Sequence, residues 1–203
     1  ADGMPVRDYA EFLAADPDRL PTEADLKTAT VSTAESVKAL LAAPVGDSYN
    51  GPVLFEGVAG GQVLAEVFGR HLSPMRRPVM DPERPINFPS GELEGRLGSR
   101  LFPDWIDIVD DPTQKEWRSA QLLGHYPIDI EGVVPKALPV VEKGTLKSFY
   151  STRQPVVGAE SSNGHARIPA SLGNNAALPG NLFVKAGQTS SSADLKKKLQ
   201  ELG

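Results

Sequence analysis

Glu56 stands where an apolar run, Pro52-Val53-Leu54-Phe55, gives way to Gly-Val-Ala-Gly-Gly. A glutamate at such a point can act as a base toward a metal-bound water, if imidazoles stand beside it to hold the metal. It can equally be an acid favoured by a helix dipole and by free backbone N–H groups. No histidine, cysteine or second acid neighbours Glu56, so the second role is the simpler one. Asp129 and Glu131 alternate in "IDIEG", and from a strand both would point the same way. Such a pair could line a cavity, exchange protons or bind a cation. The plainer reading is a charged pair beside a glycine turn. Asp110-Asp111 before Pro112 reads as a strand-ending turn whose aspartates bond their own backbone. His71, His125 and His165 lie far apart and in no metal-ligand spacing, which makes them structural or surface residues. Gly57, Gly60 and Gly61 could admit a phosphate to a helix start, but the Gly-x-x-x-x-Gly-Lys pattern is missing.

These residues need elements to position them. The chain has 203 residues, 40% hydrophobic and 23% charged, an ordinary globular composition. A net charge of −5 argues against a nucleic-acid or anionic-membrane surface. No apolar run approaches the length of a membrane span. The absence of cysteine excludes disulfides, zinc–thiolate clusters and a thiol nucleophile within these residues. Prolines and glycines punctuate the rest. Ser32 and Glu35 fit a capping box, which predicts a helix over 33–43 with Val37, Leu40 and Leu41 inward. Val58, Gly61, Leu64, Phe68 and Leu72 share one helical face over 57–71, and a last helix runs over 192–202, capped by Ser191 or Ser192. Strands are expected at 52–55, 105–109, 138–142, 145–150 and 181–185, with a hairpin turn at "EKGT". Five prolines over 73–91 predict a loop there, and glycine, serine and asparagine predict another over 158–181. The sum is one α+β domain over 1–203, a mostly antiparallel sheet with a few packed helices.

In order along the chain, "GPVLFEGVAGG", "IVDDP", "GHYPIDIEGVVP", "VVEKGTLKSFY", "NGHARIP" and "PGNLFVKAGQTSS" resemble segments of the TldD/PmbA proteins, known as modulators of DNA gyrase and as metalloproteases. The resemblance covers roughly residues 50–200. It implies an internal piece of a longer chain, with an α/β domain before it and a β-rich tail after it. It also places a metal motif. Catalytic members carry His-Glu-x-x-x-His, and here the first histidine falls on Phe55, the glutamate on Glu56 and the second histidine on Gly60. A further cysteine ligand of catalytic members would lie beyond Gly203. The resemblance thus implies a cytoplasmic, metal-free, non-catalytic subunit, with no cofactor of its own. Zinc or iron is expected only in catalytic relatives. The expected partner is a second copy or a metal-bearing paralogue, and the expected substrate a peptide or unfolded protein, with neither nucleic acid nor membrane involved. Two alternatives are a working metalloprotease with its ligands outside this chain, and a module that adds a peptide to a sheet edge.

Overall fold

A computed structural model describes residues 5–76, 79, 81, 83, 84, 91–118, 120–168 and 176–202. The chain forms two compact units, Ala1–Gly51 and Pro52–Gly203.

The first unit is built on helix α1, Glu23–Ala42. It begins nearly three turns before the predicted start at 33. The cause is a capping box further upstream: Thr22 Oγ1 accepts from Asp25 N at 3.2 Å, and Asp25 Oδ2 accepts from Thr22 N at 2.9 Å. Pro21 just ahead of the cap and Pro44 just after the last turn bracket it. No residue of α1 is buried within the structure, and Leu40 and Leu41, expected inward, are exposed.

The second unit holds the core. Helix α2 covers Val58–Val67, and a 3-10 turn over Gly69–His71 continues it. Among the described residues eight strands follow: β1 Ile106–Asp110, β2 Glu116–Trp117, β3 Ala120–Gln121, β4 Leu138–Glu142, β5 Thr145–Leu146, β6 Ala166–Ile168, β7 Ala176–Ala177 and β8 Leu182–Ala186. Helix α3, Ser192–Leu202, ends the described chain. The main sheet runs β5-β4-β1-β8, and each of its pairings is antiparallel. Two small antiparallel pairs, β2-β3 and β6-β7, complete an α+β fold.

The hairpin between β4 and β5 has a two-residue turn. Glu142 pairs with Thr145, and Lys143 and Gly144 both take positive φ, 45° and 74°. That is the turn whose twist matches a two-stranded ribbon. A Cβ on Gly144 would lie 2.1 Å from the Phe102 carbonyl oxygen, so the turn also needs glycine for close approach. The second strand stops at Leu146, short of the predicted 150.

Phe68, Leu72, Ile108, Val140, Val141, Leu146, Phe149 and Tyr150 make the core. The α2 segment reaches it through Leu64, Phe68 and Leu72. Phe68 and Leu72 are buried, with the Phe68 ring edge-on to Phe102, while Val58, expected on the same face, is exposed. Residues 52–55 form no strand: no described strand pairs with them, and Val53 and Phe55 are exposed. The proline-rich loop lies partly outside the described residues, and its described positions carry no helix or strand. The loop expected over 158–181 contains the short pair β6-β7.

Candidate functional site

Two carboxylates dominate this unit, and the structure treats them differently. Glu56 lies two residues ahead of α2, on irregular backbone. Gly57 caps the helix with φ +55°, a conformation that favours glycine, and offers no side-chain cap. The Glu56 carboxylate turns instead to α3. Ser192 Oγ donates to its Oε1 at 2.7 Å, and Lys196 Nζ lies 3.0 Å from its Oε2. The Ser192 hydrogen bond first, and then Lys196, favour the ionised form and hold the Glu56 pKa below its ordinary value. The groups that favour this ionised acid therefore belong to α3, not to the helix that follows it in sequence.

Around Glu56, the two positions matched to metal ligands come together. A Cβ on Gly60 would stand 3.4 Å from the carbonyl oxygen of Phe55, with nothing else but that carbonyl group within 4 Å. The Phe55 side chain, expected in the core, is 52% exposed. It left the core because residues 52–55 are not paired into the sheet. A divalent metal needs nitrogen, oxygen or sulfur donors at about 2 Å. Phe55 and Gly60 supply no side-chain donor, and the one carboxylate present is engaged by Ser192 and Lys196. These residues do not fit a catalytic metal. Among the described residues, no group of three or more His, Asp or Glu side chains converges as ligands would. His71 Nε2 faces Glu92 at 3.8 Å, His125 Nδ1 lies 2.9 Å from the Pro112 carbonyl oxygen, and His165 is buried elsewhere.

The second carboxylate, Asp110, ends β1 and is fully buried. Its partner in sequence, Asp111, makes the local turn that was expected, accepting from Thr113 N and Oγ1 and from Gln114 Nε2. Asp110 reaches across the fold. Tyr150 Oη donates to its Oδ2 at 2.8 Å, Gly180 N donates at 3.0 Å, and Asn181 N donates to Oδ1 at 3.1 Å. Gly180 is needed for that approach, since a Cβ there would meet Pro112 Cγ at 2.7 Å. Burial first, and then Asp110, push the Tyr150 hydroxyl far above its ordinary acidity range.

His165 stacks on the Tyr150 ring, centroids 4.8 Å apart. Asn163 is oriented by Ser151 N donating to its Oδ1 and by its own Nδ2 donating to the Phe149 carbonyl. His165 Nδ1 then faces two acceptors, Asn163 O and Oδ1, which assigns a hydrogen to that nitrogen. Nε2 points at Asp110 Oδ1, 3.6 Å away, with no hydrogen bond. Two residues on, the Arg167 guanidinium lies 4.3 Å over the Tyr126 ring. Tyr126 donates to the Gly164 carbonyl, and burial pushes its hydroxyl up to about 12.

Asp129 and Glu131 lie in a turn, not a strand. Asp129 Oδ1 accepts from Glu131 N and Val133 N, and its Oδ2 from Ala166 N. Glu131 Oε2 accepts from Arg153 N at 2.5 Å. Both carboxylates thus brace loop backbone. A groove of about 920 Å³, lined by Met75, Glu94, Phe149, Val156 and Val157 among others, includes neither of them.

An antiparallel sheet carrying a buried acid, behind a helix whose approach bears the residues Phe-Glu-Gly-Val-Ala-Gly, defines the class. Residues 48–202 match the family described as the PmbA/TldA metallopeptidase C-terminal domain, and the chain belongs to that family. A metalloprotease of Archaeoglobus fulgidus is 39% identical over 62 residues, 30% of this chain and 13% of that protein. One of Methanothermobacter thermautotrophicus is 33% identical over 101 residues, 48% of this chain and 20% of that protein. The chain therefore matches well under a quarter of the length of either relative. A crystal structure from Thermotoga maritima, of a protein whose name proposes it as a modulator of a DNA gyrase, superposes with a TM-score of 0.59 at 23% identity. It covers 91% of this chain and 37% of its own, and the likeness is one of fold.

Proposed function

We propose that this chain is the C-terminal-domain part of a PmbA/TldD-type protein that holds no catalytic metal at residues 55–60. It serves as a non-catalytic subunit of a cytoplasmic peptide-processing assembly. Its partner is a second copy or a metal-bearing paralogue, and its substrate is a peptide or unfolded protein. One observation carries the reading: Phe55 and Gly60 flank Glu56 at the two ligand positions, and neither offers a donor atom. Without a metal to acidify water, Glu56 has no nucleophile to activate.

Elemental analysis of the purified protein tests this directly. The expected zinc and iron content is well below one equivalent per chain, and stoichiometric metal would overturn the reading. A restoring experiment tests the alignment itself. F55H/G60H is expected to take up zinc at micromolar concentration, with the parent taking up none. If the double variant, in a chain that includes the family's tail, binds no better than the parent, Phe55 and Gly60 are not the ligand positions.

A further inference from the structure

Helix α3 has a weak hold on its own unit. None of its residues is buried, and Leu195 and Leu202 are both exposed. Eleven residues are too few for a helix to persist alone in water. Its N-terminus is well made, with Ser191 Oγ accepting from Asp194 N and donating to the Asp194 carboxylate. That capping is internal and fixes nothing to the rest of the fold. Leu199 is half-buried, and the polar hold on the rest of the unit is a two-point contact. Ser192 and Lys196 are four residues apart, so they share one helical face. The two oxygens of the Glu56 carboxylate meet one each. Ser192 and Glu56 are 136 residues apart in sequence, so the contact closes a long loop.

We infer that Glu56 is a positioning residue for α3: its carboxylate fixes the first turn of that helix, and the same two contacts withhold it from any use as a base. The second half rests on the metal-free reading above; the first half does not. Exchange of a catalytic for an architectural role explains why a glutamate stands here while Phe55 and Gly60 flank it. The lowered pKa of Glu56 agrees with both halves, because each contact favours the ionised form.

Hydrogen exchange of the α3 amides tests the tether in the parent, E56Q, S192A/K196M and the triple variant. Exposed polar contacts are weak, so the expected acceleration is about two- to five-fold in E56Q and in S192A/K196M. Combining them should add nothing further, since both remove one contact. Unchanged exchange in E56Q, or additive effects, would overturn the inference. A carbon-13 titration of the Glu56 carboxyl tests the withholding. It should titrate lower in the parent than in S192A/K196M, and identical titrations would refute it. Metal content reads separately: zinc in the parent would sink the proposed function and leave the exchange result standing.

Discussion

Asp110 and Glu56 are both acids at the edge of a regular element, yet one is saturated and sealed while the other is open and shared. Asp110 is fully buried and accepts from a tyrosine hydroxyl and two backbone amides. Glu56 is half exposed and accepts from a serine and a lysine on one mobile-sized helix. The difference is one of energetic leverage. A buried acceptor cannot fall back on water, so the groups around it are locked to it and to each other. An exposed acceptor trades partners with solvent at little cost. The first carboxylate holds the fold; the second sets where a peripheral helix lies.

The sharpest way to break that contrast is Asp110→Ala. It strands the Tyr150 hydroxyl and the amides of Gly180 and Asn181, and the expected loss is about 3–5 kcal/mol of unfolding free energy. Urea unfolding followed by tryptophan fluorescence measures it, and a loss under about 1 kcal/mol would mean the cluster is not a lock. Tyr150→Phe should come next, at about 1.5–3 kcal/mol, because it removes one hydrogen bond to a charged acceptor and spares the backbone donors. The same residue gives the alkaline limb of stability its sign. The Tyr150 hydroxyl is raised in the folded state, so its contribution is intact below the unfolded value near 10 and is lost as pH climbs toward the folded value. The parent should therefore lose stability steeply above about pH 10, and Tyr150→Phe should show a shallower fall. Glu56→Gln should have the smallest effect of all, leaving the urea midpoint within error. Its signature is at acid pH. The Glu56 pKa is lowered by folding, so its contribution is present above the unfolded value near 4.3 and disappears as pH falls through the folded one. Protection of the α3 amides, corrected for the pH dependence of intrinsic exchange, should fall on acidification in the parent and stay flat in Glu56→Gln.

What the sequence disclosed follows from how local each cause was. The β4-β5 hairpin was legible because Lys143-Gly144 carries its own turn chemistry. Helix α3 was legible because its cap lies three residues from its partner. The segment 52–55 misled because a short apolar run reads as a strand, and nothing local shows that no neighbour pairs with it. The start of α1 was missed because Thr22-Glu23-Ala24-Asp25 closes a capping box with aspartate where glutamate was sought. The site divides the same way. Phe55, Glu56 and Gly60 stand out only through the resemblance of their segment to the family's metal motif. The partners of Glu56 were not, since Ser192 lies 136 residues away. Asp110 was read as a turn residue, as its neighbour Asp111 proved to be. Its own partners Tyr150 and Gly180 come from strand pairings that only the folded chain reveals.

The order of strands in the main sheet has a consequence for how the chain reaches this state. β1 sits between β4, which arrives with its own hairpin partner, and β8, which pairs Leu182 with Asp110 across a long stretch of chain. Long closures cost more chain entropy before any contact repays them, so the β1-β4-β5 ribbon should assemble early and β8 dock late. Until β8 docks, Asp110 lacks the amides of Gly180 and Asn181, and the half-built sheet carries an acid short of two of its donors. That intermediate is disfavoured, which presses the last strand and the rest of the sheet into a single cooperative step. Substitutions at the β8 end should therefore speed unfolding and leave the folding rate almost unchanged, the mark of contacts made after the barrier.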